Sequence, residues 1–148
     1  MERLDLICYK TMTDRTQTIL GFDPGKDKCG IAVMGGDRAL LYHQVLPTGQ
    51  VILQINDLSQ QYNVTRLVMG DQTTSKQWQQ RLTTAFPDLP ILLVDERYSS
   101  LEARDRYWQM YPASFLTGLI PQGMRQPPRP IDDLVAIILI ERYLSKNS

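Results

Sequence analysis

The residues in this chain whose types could do chemistry are carboxylates standing where apolar runs stop. Asp23 closes "TILGFD", Asp71 follows "RLVMG", Glu96 follows "ILLVD", and Asp132 and Asp133 open "DDLVAIILIERYL". Each has an ordinary explanation. Asp-Pro-Gly is a turn sequence, and an acid after a strand can simply mark the exit to solvent, a part that Asp95 could play as well as Glu96. Asp71 could cap the helix that follows it, and acids in a first helical turn are dipole partners worth about 0.3–1 kcal/mol. Taken together they point elsewhere. The ends of parallel strands lie on one edge of a sheet, and a helix packed across that edge can bring a third acid to the same point. Carboxylates a few ångströms apart raise one another's pKa, a cost that a hard divalent cation removes. Oxygen donors of this kind suit Mg²⁺ or Mn²⁺, and two such ions about 4 Å apart can activate a water and stabilise a leaving oxygen in phosphodiester hydrolysis. Other metal chemistry lacks ligands. The two cysteines, Cys8 and Cys29, and the single histidine, His43, supply neither a disulfide framework nor a zinc site.

Basic residues recur beside these acids. Lys26 and Lys28 follow Asp23, Arg97, Arg104 and Arg106 follow Glu96, and Arg125 and Arg129 precede Asp132. The 16 basic and 16 acidic residues cancel, so any polyanion must be held by such local patches rather than by a global field. Thr73, Thr74, Ser75 and Lys76 stand where a helix begins and could bind a phosphate, although Ser and Thr there are also plain caps. Tyr98, Tyr107, Trp108 and Tyr111 could stack exposed bases, with the last three at a spacing more often found in a core.

The elements that must position these groups follow from the apolar pattern. Residues 18–22, 30–34 and 39–45 are β-branched and aliphatic runs separated by Gly-containing turns, which predicts an antiparallel meander. Residues 49–62 carry apolar side chains at helical spacing and lead into the strand "VTRLVMG". A polar helix over 75–86, a strand in "LPILLVDE" and a helix over 99–109, capped by Ser99 or Ser100, repeat the unit. Residues 111–130 form an irregular proline-rich connector. Residues 134–140 are apolar at every position, as in a buried strand, but the length of "IDDLVAIILIERYL", its leading acids and its trailing Arg142 and Lys146 predict a helix. A helix apolar all round implies burial on two sides, for which a dimer contact is one candidate. The result is an α/β fold, a five-stranded mixed sheet with three antiparallel strands then two parallel ones, flanked by helices. Ligands of such sheets bind at the carboxyl ends of the parallel strands.

With 148 residues and 43% apolar content the chain suits one domain, residues 17–148, behind a loosely ordered leader over 1–16. No run approaches a membrane span, and Glu2, Asp5 and Lys10 interrupt any export signal, so a soluble cytoplasmic protein is expected.

The segments "DPGKDKCGIAV", "GDQTTSK", "VDERYSSLEA" and "IDDLVAIILIERYL" resemble successive motifs of the YqgF-type (RuvX-like) nucleases, an RNase H-like family described as Holliday-junction resolvase-like or pre-16S rRNA nucleases. The likeness covers about residues 18–144, and "VDERYSSLEA" is its most specific part. The resemblance implies an RNase H-like fold, with the family's three acids on Asp23, Glu96 and Asp132 as catalytic residues and metal ligands, and with Ser100 as a further site position. Asp71, at the end of the fourth strand as in RuvC-type sites, and Asp133 are secondary candidates. Lys28 stands where the family has Arg, and Gly70-Asp71-Gln72 replaces its Gly-Leu-Pro. The "DPG" and "GDQTTS" loops are closer to RuvC-type resolvases and to the YqgF-like domain of the transcription factor Tex. Structured RNA in ribosome maturation is the first substrate this implies. The alternatives are branched DNA cut by a symmetric dimer, which leaves monomer or homodimer open, and a non-catalytic nucleic-acid-binding module. An actin-like phosphotransferase would need two such domains, and no "GxxxxGK(S/T)" cradle is present.

Overall fold

The computed structural model describes residues 17–72 and 74–146. The expected leader over 1–16 and the candidate Thr73 lie outside the described residues. β1 (Thr18–Asp23), β2 (Lys28–Gly35) and β3 (Leu40–Pro47) form the antiparallel meander, and a 3₁₀ turn (Thr48–Gln50) leads into α1 (Val51–Tyr62). β4 (Arg66–Gly70), α2 (Ser75–Ala85), β5 (Ile91–Val94) and α3 (Ser99–Met110) follow. The connector contains a short helix, α4 (Phe115–Gly118), and a 3₁₀ turn (Gln122–Met124) before the final helix, α5 (Asp132–Lys146).

The sheet order is β3-β2-β1-β4-β5, with β4 and β5 parallel to β1. Alternation along the strands divides the core. Leu20 and Phe22 of β1, Ile31 and Val33 of β2 and Leu67 and Met69 of β4 pack with α1 and α2, where Trp78 meets Phe22 edge-on. Ile19, Ala32 and Val68 on the other face pack against α5 and α3. That second face carries small residues because α5 lies directly on it. A Cβ on Gly21 would stand 2.4 Å from the carbonyl oxygen of Ala136, so only a glycine admits the helix at this depth.

The uninterrupted apolar run of α5 is thereby explained. Leu134 through Ile140 are all buried, between the sheet on one side and α3 on the other, each large side chain contributing about 1.5–3 kcal/mol. The two-sided burial expected from the sequence is satisfied inside the chain, and it needs no dimer contact. A second difference concerns α3. Its N-cap is Tyr98, at φ 60° and ψ 13°, with no side-chain cap, while Ser99 and Ser100 lie within the first turn. A left-handed conformation in a residue other than glycine costs about 1–2 kcal/mol. Among the described residues no helix is long and apolar enough to cross a membrane.

Candidate active site

Asp23 is the last residue of β1, the central strand, and its cross-strand partner in β2 is Gly30. Gly30 is also where α5 begins its contact with the sheet, since a Cβ there would lie 1.9 Å from the carbonyl oxygen of Asp132. One bare position in β2 therefore sets Asp132, the first residue of α5, beside Asp23. The remaining acid arrives from the parallel side. Gly70 and Val94 end β4 and β5 in register, and two residues later the Glu96 side chain folds back over Gly70. Glu96 Oε1 accepts a hydrogen bond from the Gln72 N–H at 3.1 Å, which fixes the carboxylate at the end of β4.

The electrostatics record the convergence. Burial first, then the charges of Asp132 and Glu96, push the Asp23 carboxyl up to about 8, and a proton held there is shared with Asp132 by hydrogen bond. Glu96 is raised, chiefly by burial and further by Asp71 and Asp95, against the Gln72 N–H and the Arg142 charge. Asp132 is raised too, again chiefly by burial and then by Asp133, with its own backbone N–H, Asp23 and Lys28 opposing. All three acids are half-buried and none has an ion-pair partner within 4 Å among the described residues, and Lys28 is the cation nearest in effect to Asp132. Among the described residues no three His, Cys, Asp or Glu side chains are grouped tightly enough to hold a metal ion as they stand. The donor chemistry nevertheless fits a hard cation: the converging groups are all carboxyl oxygens, and the proton on Asp23 occupies the place that a positive charge would relieve.

The neighbouring acids divide their roles. Asp95 accepts from the Arg97 N–H at 3.0 Å and gives its carbonyl to Arg142 at 2.8 Å, so it forms the turn that frees Glu96. Asp133 is turned away from Asp23. It is buried, with Oδ2 at 2.7 Å from His43 Nδ1 and Oδ1 at 3.0 Å from Arg129 Nη1, and it ties α5 to β3 and to the connector. Asp71 is exposed and close enough to raise Glu96. It does not cap α2, whose N-cap is Thr74 without a side-chain bond.

The loop after Asp23 is held by residues the sequence left unassigned. The Gly25 N–H donates to Cys29 Sγ at 3.4 Å, and Thr48 Oγ1 donates to the carbonyls of Gly25 and Lys26 at 3.1 and 3.2 Å. Thr48 opens the 3₁₀ turn directly after β3, whose last residue, Pro47, pairs with Lys28, and its residue type alone carries no signal for this role. Lys26 and Lys28 are exposed on this loop, and Lys76, Arg97 and Ser100 are exposed around the same edge. Ser75 is buried. Arg125 and Arg129 already have internal partners. Arg125 donates to the carbonyls of Ile120 and Gly118 and lies over Trp108, whereas Arg129 bonds Asp133 and lies over the paired rings of Tyr107 and Tyr111.

A family model described as "RuvX: Holliday junction resolvase" matches residues 17–146. The chain belongs to this family. A protein of Xanthomonas axonopodis pv. citri (strain 306) is 29% identical over 142 residues, 86% of this chain and 87% of its own length, and one of Sulfurihydrogenibium sp. (strain YO3AOP1) is 27% identical over 144 residues, covering 88% and 91%. Both bear the name "Putative pre-16S rRNA nuclease". The structure of Thermus thermophilus RuvC in complex with a Holliday junction substrate superimposes with a TM-score of 0.58 at 17% identity, over 88% of this chain and 95% of that one. The fold is RNase H-like, and membership of this family makes the protein a hydrolytic nuclease.

Proposed function

We propose that the protein is a divalent-metal-dependent phosphodiester hydrolase in which Asp23, Glu96 and Asp132 hold the ions and act on structured RNA during ribosomal RNA maturation in the cytoplasm. The observation that carries this reading is the position of Asp23, half-buried beside Asp132 and Glu96 at the carboxyl edge of the parallel strands, so that the cluster keeps a proton where a cation would serve. Mg²⁺ or Mn²⁺ bound there, as a pair of ions, would supply a polarised water and neutralise charge on the leaving oxygen. The chain's own residues do the rest. Asp23 gives up its proton when the site is loaded, the Gln72 N–H keeps the Glu96 carboxylate over Gly70, and Asp133, held by His43 and Arg129, fixes the turn that presents Asp132. Lys26 and Lys28 hold the backbone phosphate beside the reacting one, with Lys76, Arg97 and Ser100 along the same edge and Asp71 as an outer acid.

The choice of RNA rests on the names of relatives 27–29% identical over most of their length. A second reading, branched DNA, is favoured by the family model's own description and would require a symmetric dimer with paired sites. Cleavage of labelled single-stranded RNA, a precursor ribosomal RNA end and a four-way DNA junction, each with Mg²⁺, Mn²⁺ or EDTA, tests both. Metal-dependent cutting of the precursor that Asp23→Asn and Glu96→Gln abolish is the expected result. Cutting confined to the junction would move the substrate to DNA, and binding without cutting in every lane would make the protein a non-catalytic module.

A further inference from the structure

Beyond the acid cluster, the free edge of the sheet carries a second feature. β5 is an edge strand, and a groove of about 730 Å³ runs between it, α3 and the end of α5. Its floor is apolar, formed by the side chains of Leu92 and Val94, while Leu93, between them on the strand, contributes its backbone. Its rim is cationic, with Arg66, Arg97, Arg142 and Lys146 against the acids Asp95 and Glu102. Arg66 and Arg142 are partly committed, the first to Tyr143 and the second to Glu102 and the Asp95 carbonyl. The side chains of Arg97 and Lys146 have no partner among the described residues, which leaves charge at both ends of the groove.

Tyr98 stands at the mouth, two residues past Glu96. It is 74% exposed, in the left-handed conformation, and its side chain makes no hydrogen bond or ring contact with the described residues. The Tyr98 carbonyl accepts from the Glu102 N–H at 3.1 Å and so starts α3, but its ring serves nothing inside the fold, and an exposed aromatic at a strained backbone position points to a use outside it.

We infer that the groove along β5 binds a single-stranded segment of the nuclease's substrate, with a base stacked on Tyr98 and phosphates on Arg97 and Lys146. Apolar floor, cationic rim and exposed ring are together the chemistry of single-strand binding, in which unpaired bases rest on apolar and aromatic surfaces while the backbone follows the positive charge. A duplex would present phosphates outward and keep its bases from the apolar floor and Tyr98. The occupant's class rests on the nuclease reading, but the site is separate from the acids, so the two can fail independently.

The test is fluorescence anisotropy in EDTA, where no cleavage is asked of the protein, with a labelled 12-nucleotide RNA, the same length of duplex and an Asp/Glu-rich peptide as probes. Tyr98→Ala should weaken single-strand binding about tenfold while Tyr98→Phe restores it, because the ring face and not the hydroxyl makes the contact. Lys146→Ala should lower the slope of log affinity against log salt by about 0.7. Full-strength single-strand binding in Tyr98→Ala and Lys146→Ala overturns the inference. So does loss of duplex and single strand alike in Lys146→Ala with none in Tyr98→Ala, or loss of peptide binding alone. If the groove variants lose binding while no substrate is cut by any form of the protein, the groove stands and the nuclease assignment of the acids falls.

Discussion

Gly70 and the Glu96 carboxylate share one space: a Cβ built on Gly70 would stand 2.0 Å from Glu96 Oε2. Because the opposing atoms are the far end of a flexible side chain, Gly70→Ala should fold normally and expel the carboxylate instead. Displacement of a catalytic group by about 1 Å costs on the order of 100-fold, so metal-dependent cleavage should fall by about that factor at an unchanged melting temperature. A parallel loss of stability would show that Gly70 serves packing alone.

Gly30 gives the contrasting case. A Cβ there meets backbone atoms, the carbonyl of Asp132 at 1.9 Å and the amide nitrogen of Asp133 at 2.5 Å, neither of which can rotate aside. Gly30→Ala should therefore destabilise by about 1–3 kcal/mol in urea unfolding as well as displacing Asp132. A fully stable variant with full activity would mean that α5 does not seat on β2 as described.

The raised carboxyl of Asp23 fixes a sign. In the unfolded chain it titrates near its ordinary 3.8, and in the fold near about 8. Between those values the folded state holds a proton that the unfolded state has released, so the contribution to stability is complete below about 4 and is lost as pH rises to about 8. The melting temperature of the metal-free protein should fall over that window relative to Asp23→Asn, which has no such proton. Mg²⁺ or Mn²⁺ must displace the proton, so their stabilising effect should grow from pH 6 to pH 8. A pH-independent difference between wild type and Asp23→Asn would refute the buried, proton-holding site.

Adjacent acids should separate in mutagenesis. Asp133 is an almost fully buried carboxylate between His43 and Arg129, and removing it leaves two polar groups without their partner. Asp133→Ala should cost about 3–5 kcal/mol in chemical denaturation. Asp132→Asn should abolish cleavage with little change in stability, since it relieves like charge at the cluster. The reverse pattern would exchange their roles.

The strands and their succession along the chain were readable because β-branched runs between glycine turns have few alternatives, and α5 was readable from its length and end charges despite seven consecutive apolar residues. The division between Asp132 and Asp133 was not, because both open the same helix and the decision is made by His43, 90 residues away on β3. Arg125 and Arg129 looked like free cations for the same reason. Their partners, the carbonyls of the connector and the aromatic rings of α3, come together only in the folded chain. Tyr98 was legible as an exposed aromatic candidate, but its left-handed backbone, in a position where a serine cap was expected, has no signature in residue type.

The acids are spread along the chain in an order that matters during synthesis. Asp23 lies on the first described strand and Asp132 on the last described helix, which also supplies the layer beneath β1 and β2. A growing chain displays the first of these residues, and then Glu96, well before α5 has left the ribosome. Until that helix emerges and seats on Gly21 and Gly30, the third acid is missing and the face it covers is bare. Seating of α5 therefore completes the core and brings the third acid of the cluster beside Asp23 in one event.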